Sequence, residues 1–137
     1  MPRKPKITTK KLDDLFRDIM RSQGKCHRCG RRSPQVILQC AHGFSRRYRG
    51  TRWVEEANFC LCSRCHLFMT FRPIEWDDYM RHAWGEEKYD RLRAQAQAIT
   101  KTDKQELYDR LKARLEELSN ESRAEESGWL QPDDGGG

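Results

Sequence analysis

The sequence predicts an α+β fold: a small metal-stapled core with helices before and after it. Two CxxC pairs, Cys26/Cys29 and Cys62/Cys65, have 32 residues between them and can close one site. Apolar residues recur at helical spacing on both sides of that segment, while the segment itself holds a short β-branched run, VILQC. The chain has 137 residues, 36% hydrophobic and 35% charged. Such a supply of apolar side chains builds only a modest core, and a bound metal would help it fold.

The elements follow in order. Residues 1–11 carry five Lys/Arg and no acid, which predicts a basic flexible arm. Leu12, Leu15, Phe16, Ile19 and Met20 predict an amphipathic helix over 12–22, broken at Gly24. After Pro34, residues 36–40 read as a strand, and 41–58 as an arginine-dense loop. Cys65 and His66 open a helix. Pro73 suits the first turn of another over 73–84, with Ile74, Met80 and Trp84 turned inward. A helix over 86–98 should bury Tyr89, Leu92 and Ile99. Thr102 and Gln105 form a capping box before the last helix, placed at 101–119. There Leu107, Leu111, Leu115 and Leu118 make a seam that docks on the body, pairs with a second copy or receives a partner protein. The tail 120–137, ending DDGGG, is expected to be disordered.

A net charge of +6 suits a polyanionic partner such as DNA. No stretch approaches the roughly 18 apolar residues of a membrane span, and the N-terminus lacks the apolar run of a secretory signal. Both point to a cytoplasmic protein without a membrane partner. Six cysteines in a reducing cytoplasm read as metal ligands or inert thiols rather than disulfides. Four thiolates would complete a closed tetrahedral zinc site, structural because no position stays open. Cys40 and Cys60 are left over and read as small buried hydrophobes.

His42 ends the strand, Asn58 ends the loop, and His66 directly follows Cys65. A histidine at a strand end, an asparagine before a cysteine knuckle and a histidine on the next helix form a ββα-metal arrangement. Phosphodiester hydrolysis needs a base to activate water, which neutral imidazole suits, and a divalent cation to stabilise developing charge. His42 fits the base, His66 a ligand for that ion, and Asn58 a brace for the loop. Arg46, Arg47, Arg49 and Arg52 crowd the same loop and suit phosphate contacts. Tyr48 and Trp53, interleaved with them, could stack on a base, although Trp53 also suits a core anchor.

The segments LDDLFRDIMRSQGKCHRCGRR, LQCAHGFSRRYRGTRW, CLCSRCH and RPIEWDDYMRHAWGEEKYDRLRAQA together resemble phage-type HNH endonucleases, near the recombination protein NinG group. The resemblance covers residues 12–100. It implies a DNA endonuclease domain using Mg²⁺ or Mn²⁺, with His42 as general base, Asn58 as middle residue and His66 as metal ligand. NinG-like members imply branched or recombination DNA as substrate, in the cytoplasm of a bacterial host. Two positions depart from the pattern. Ala41 stands where many HNH enzymes carry an aspartate ligand, and Asn58 falls one residue later than the usual asparagine, at Ala57. The competing expectation is a non-catalytic, zinc-dependent DNA-binding or DNA-packaging accessory protein.

Overall fold

The structure is a computed structural model and describes residues 6–128. It is α+β, with six helices around one two-stranded sheet among those residues. Helix α1 spans Thr9–Arg21, and the Thr8 hydroxyl caps it by accepting the Lys11 N–H at 3.2 Å. Lys10 and Lys11 therefore belong to the helix and not to a flexible arm; residues 1–5 of that arm lie outside the described residues. Leu12, Phe16, Ile19 and Met20 are buried, as their spacing requires.

The first CxxC pair sits in a tight turn. The Cys26 N–H donates to the Arg31 carbonyl and the Gly30 N–H to the Cys26 carbonyl, with Gly30 at φ +79° where a side chain would be strained. Strand β1 is Leu38–His42, two residues later than expected, which leaves Ile37 exposed. Strand β2, Asn58–Cys62, pairs with it antiparallel, from Leu38 opposite Cys62 to His42 opposite Asn58. Along β1 the side chains alternate. Cys40 and His42 turn toward α1, whereas Gln39 and Ala41 turn toward α3 (Ser63–Thr70).

Between the strands, the arginine loop contains a single helical turn, α2 (Arg49–Arg52), and a 3-10 turn at Glu55–Ala57. Ion pairs hold this loop from outside. Arg52 donates to both oxygens of Asp13 at 3.1 and 2.7 Å, and Trp53 Nε1 donates to Asp13 at 2.9 Å. Burial alone would raise the Asp13 carboxyl, but Arg52 and Trp53 outweigh it and hold the group below its ordinary range. Glu55 is gripped by Arg114 at 2.7 Å, and Glu56 by Arg91 at 3.1 Å.

Helices α4 (Pro73–Trp84) and α5 (Glu86–Gln97) close the other side of the sheet. Phe59 lies 5.3 to 5.4 Å from the ring centroids of Trp76, Tyr79 and Trp84, so aromatic contacts dominate this core. Met80, Tyr89 and Leu92 are buried as expected. Ile74 and Ile99 are not: Ile74 is 78% exposed, and α5 ends before Ile99 can follow its buried face. Helix α6 spans Lys104–Gly128, and its cap is Asp103, whose Oδ1 accepts the Glu106 N–H at 3.1 Å, rather than Thr102. Leu107 and Leu111 bury against α1, with Leu115 and Leu118 packed beside them. The seam thus docks on the body. The helix also runs past the expected boundary at 119, because Glu, Arg and Ala favour helix even where nothing apolar is left to bury. Residues 129–137 of the expected tail lie outside the described residues. No helix among the described residues is long and apolar enough to cross a membrane.

Candidate functional site

The four predicted cysteines come together. The sulfurs of Cys26, Cys29, Cys62 and Cys65 all lie within 4.8 Å of one another, and those of Cys29 and Cys62 are 3.8 Å apart. A tetrahedron with zinc–sulfur bonds of about 2.3 Å has edges of about 3.8 Å, so the spacing fits that ion. Local hydrogen bonds support the cluster. Burial opposes the Cys26 thiolate, but backbone N–H groups of Cys29, Cys62 and Arg28 bring its thiol down to about 6. Cys65, by contrast, is pushed up to about 12 by burial and by the neighbouring thiols, despite the Arg28 guanidinium donating to it at 3.4 Å. Four sulfurs this close need a cation if all are to ionise. The two remaining cysteines sit opposite each other across the strands, Cys40 against Cys60. Burial pushes them up to about 12 and 11, so they are inert thiols.

This cluster pins the end of β2 to the first knuckle, since the His27 N–H also donates to the Cys60 carbonyl at 2.8 Å. Helix α3 starts after Cys62 and carries Cys65 in its first turn, which places His66 directly beside the clamp. His66 Nδ1 is 2.7 Å from Gln39 Oε1. With Nδ1 donating to that oxygen, Nε2 keeps its lone pair for an ion or a proton. Burial lowers the pKa of this ring.

His42 lies at the other end of β1, yet it shares a cavity of about 180 Å³ with His66. Ala41, Leu61, Met69, Thr70, Pro73 and Trp76 complete the lining. That volume admits several waters at about 30 Å³ each. His42 Nε2 is buried and makes no hydrogen bond. Burial brings the His42 pKa down to about 4, and Arg46 adds to this, while Asp13 and the Arg52 backbone act in the opposite sense. We expect the His42 ring to titrate near 4 by NMR; a midpoint near the ordinary value of about 6.5 would contradict this packing.

Asn58 is buried, and its side chain ties the loop to itself. Its Oδ1 accepts the Gly43 N–H at 3.1 Å, and Nδ2 donates to the carbonyls of Thr51 and Val54 at 2.9 and 2.7 Å. Gly43, directly after His42, cannot carry a side chain there: a Cβ would fall 2.4 Å from the Ala57 carbonyl oxygen. The chain leaving His42 is thus pressed against the end of the loop and locked by Asn58.

The arginines divide. Arg52 is tied to Asp13 and acts as a clamp for the loop. Arg46, Arg47 and Arg49 are exposed and make no ion pair with the described carboxylates. On the far side of His42 opens a second, larger cleft of about 420 Å³, lined by Arg46 together with Arg17 and Arg21 of α1 and by Asp13 and Asp14. Sequence reasoning passed over Arg17 and Arg21. Their four-residue spacing puts them on one face of α1, but nothing local ties that face to a loop beyond Cys40. Gln39 was also passed over, although a polar side chain inside an otherwise apolar strand run was a usable signal. Trp53 is buried with Leu12 and Phe16 and is no base-stacking platform, whereas Tyr48 stays partly exposed under Arg47.

The fold and site define an α+β protein with a four-cysteine cluster fit for zinc and a cavity shared by two histidines. Comparison with family models, curated proteins and solved structures finds no match for the chain.

Proposed function

We propose that the protein is a DNA endonuclease of the HNH, ββα-metal type, which hydrolyses phosphodiester bonds with the help of a divalent ion. Branched or recombination DNA in a phage-infected bacterial cytoplasm is the proposed substrate and setting. The observation that carries the reading is the cavity that His42 and His66, residues of different elements, both line. His42 Nε2, neutral and without a partner, accepts the proton of an attacking water. Arg46, close enough to depress the His42 pKa, holds the phosphate beside it, and Arg47 and Arg49 extend the contact along the strand. Asn58 keeps the loop, and therefore His42, in place. His66 Nε2 would hold the divalent ion, which when bound supplies Lewis-acid stabilisation of the phosphate charge. An imidazole donor without a carboxylate in the cavity lining suits Mn²⁺ better than Mg²⁺, which prefers oxygen ligands.

The same lining favours a second reading. With Ala41 in the place of an acidic ligand, a zinc-dependent DNA-binding or packaging accessory protein needs no second ion at all. Calorimetric titration of Mn²⁺ into zinc-saturated protein separates the two. The nuclease reading expects a second, weaker site that is lost in His66→Ala; no second site in the wild-type protein supports the accessory reading.

A further inference from the structure

Helix α3 carries its buried face, Cys65 and Met69, toward the sheet. Its outer face repeats Arg64, Leu67, Phe68 and Phe71 at intervals of three and four residues, so the four fall on one side. Leu67 is 61% exposed and Phe71 74%, and Ile74 in the first turn of α4 is 78% exposed. Among the described residues nothing covers these large apolar groups. Their rim is basic. Arg28 and Arg72 lie over the Phe68 ring, 4.4 and 3.8 Å from its centroid, and Arg64 is exposed. From Ser63 to Pro73 there is no acidic residue; Glu75, 3.7 Å from Arg72, is the first that follows.

We propose that this stripe is a wedge that enters the minor groove of duplex DNA and opens one base step beside the scissile phosphate. The inference rests on the nuclease reading and specifies its substrate geometry. The occupant must be anionic at its edges and apolar and flat inside, which describes a base step flanked by two phosphate backbones. A second copy of this chain fits poorly, because a two-fold contact through the patch would set the same arginines against each other. The stripe also adjoins the cavity along the chain. Met69, Thr70 and Pro73 line the His42/His66 cavity, and Phe71 is interleaved with them in the chain but points to solvent. The arginine stacks hold Phe68 as a platform, which leaves Phe71 and Leu67 to insert. Opening a step costs less where stacking is already broken, so a wedge at this place would favour branched or distorted DNA.

The test uses full-length, zinc-saturated protein without other divalent ions, mixed with duplexes carrying 2-aminopurine at successive steps. Its fluorescence rises when the base unstacks. Wild-type protein should raise it at one step. Leu67→Ala/Phe71→Ala, with zinc content and melting temperature confirmed as unchanged, should abolish the rise and bind about tenfold more weakly. Phe71→Leu, which keeps an apolar wedge, should retain it. An equal signal with the double variant, or binding by the wild type without any signal, overturns the wedge and leaves the nuclease reading standing if plasmid is still cut. Failure of the wild type both to bind and to cut DNA removes that reading and the wedge with it. Loss of a dimer in the double variant by sedimentation would instead assign the stripe to self-association and overturn the proposal.

Discussion

Stripping zinc from the protein is expected to unfold its centre. Among the described residues the sheet has two strands; Cys62 sits at the end of β2, while Cys26 and Cys65 are buried beside Leu38, Phe59 and Leu61. Without an ion, four mutually repelling or protonated sulfurs occupy the place where three chain segments meet. Structural zinc contributes on the order of 10–16 kcal/mol of apparent binding free energy, against a typical domain stability of about 5–15 kcal/mol. Loss of a bound ion would therefore exceed what the remaining core can offset. Native mass spectrometry should find one zinc per chain. Treatment with a strong chelator should remove the cooperative melting transition, and Cys62→Ser should behave like the chelated protein. Cys40→Ala, which alters no member of the cluster, should keep its zinc. A sharp, cooperative transition in metal-free protein would refute the structural role.

Removing α6 should be nearly as damaging. Leu107 and Leu111 are buried against Leu12, Phe16 and Ile19, with Leu115 and Leu118 at the margin. Each fully buried leucine is worth about 1.5–3 kcal/mol, so Leu107 and Leu111, with the partial burial of Leu115 and Leu118 and the α1 surface they cover, amount to about 8 kcal/mol. The ion pair of Arg114 with Glu55 is lost as well, which loosens the loop that holds His42. A chain ending at residue 103 should lose cooperative melting or melt some 20 °C lower by calorimetry. One ending at residue 119 should melt as the full chain does, because Asn120 to Glu125 are all exposed. A 1–103 chain with unchanged stability would mean that the leucine seam serves another copy or a partner protein instead.

Much of this was legible in the sequence, but unevenly. The two CxxC pairs declared the metal cluster because thiolate spacing within a knuckle is a local property. Helix α1 declared itself through Leu12, Phe16 and Ile19. Strand β2 did not. All five residues from Asn58 to Cys62 are buried, so the alternation that marks a half-exposed strand is absent. The role of Arg52 was equally hidden. Its partner Asp13 lies 39 residues earlier, and only the packed fold brings that carboxylate to the loop. Ile74 and Ile99 were misplaced for the opposite reason: each fits a helical period, yet one sits at a helix start and the other beyond a helix end. His42, Asn58 and His66 were found as a set, and the structure puts His42 and His66 on one cavity while Asn58 stands behind the loop. What no local pattern could convey is that Ala41 lines that cavity.

In the proposed nuclease, the cysteine clamp holds His42 and His66 at one cavity, where a phosphodiester bond would be cut. Nicking of supercoiled plasmid by zinc-saturated protein in Mn²⁺ tests it most directly, with His42→Ala prepared at equal zinc content. The wild type should nick, and His42→Ala should be slower by about 10² to 10⁴, the usual contribution of a positioned general base. Wild-type nicking no faster than that of His42→Ala would contradict the claim.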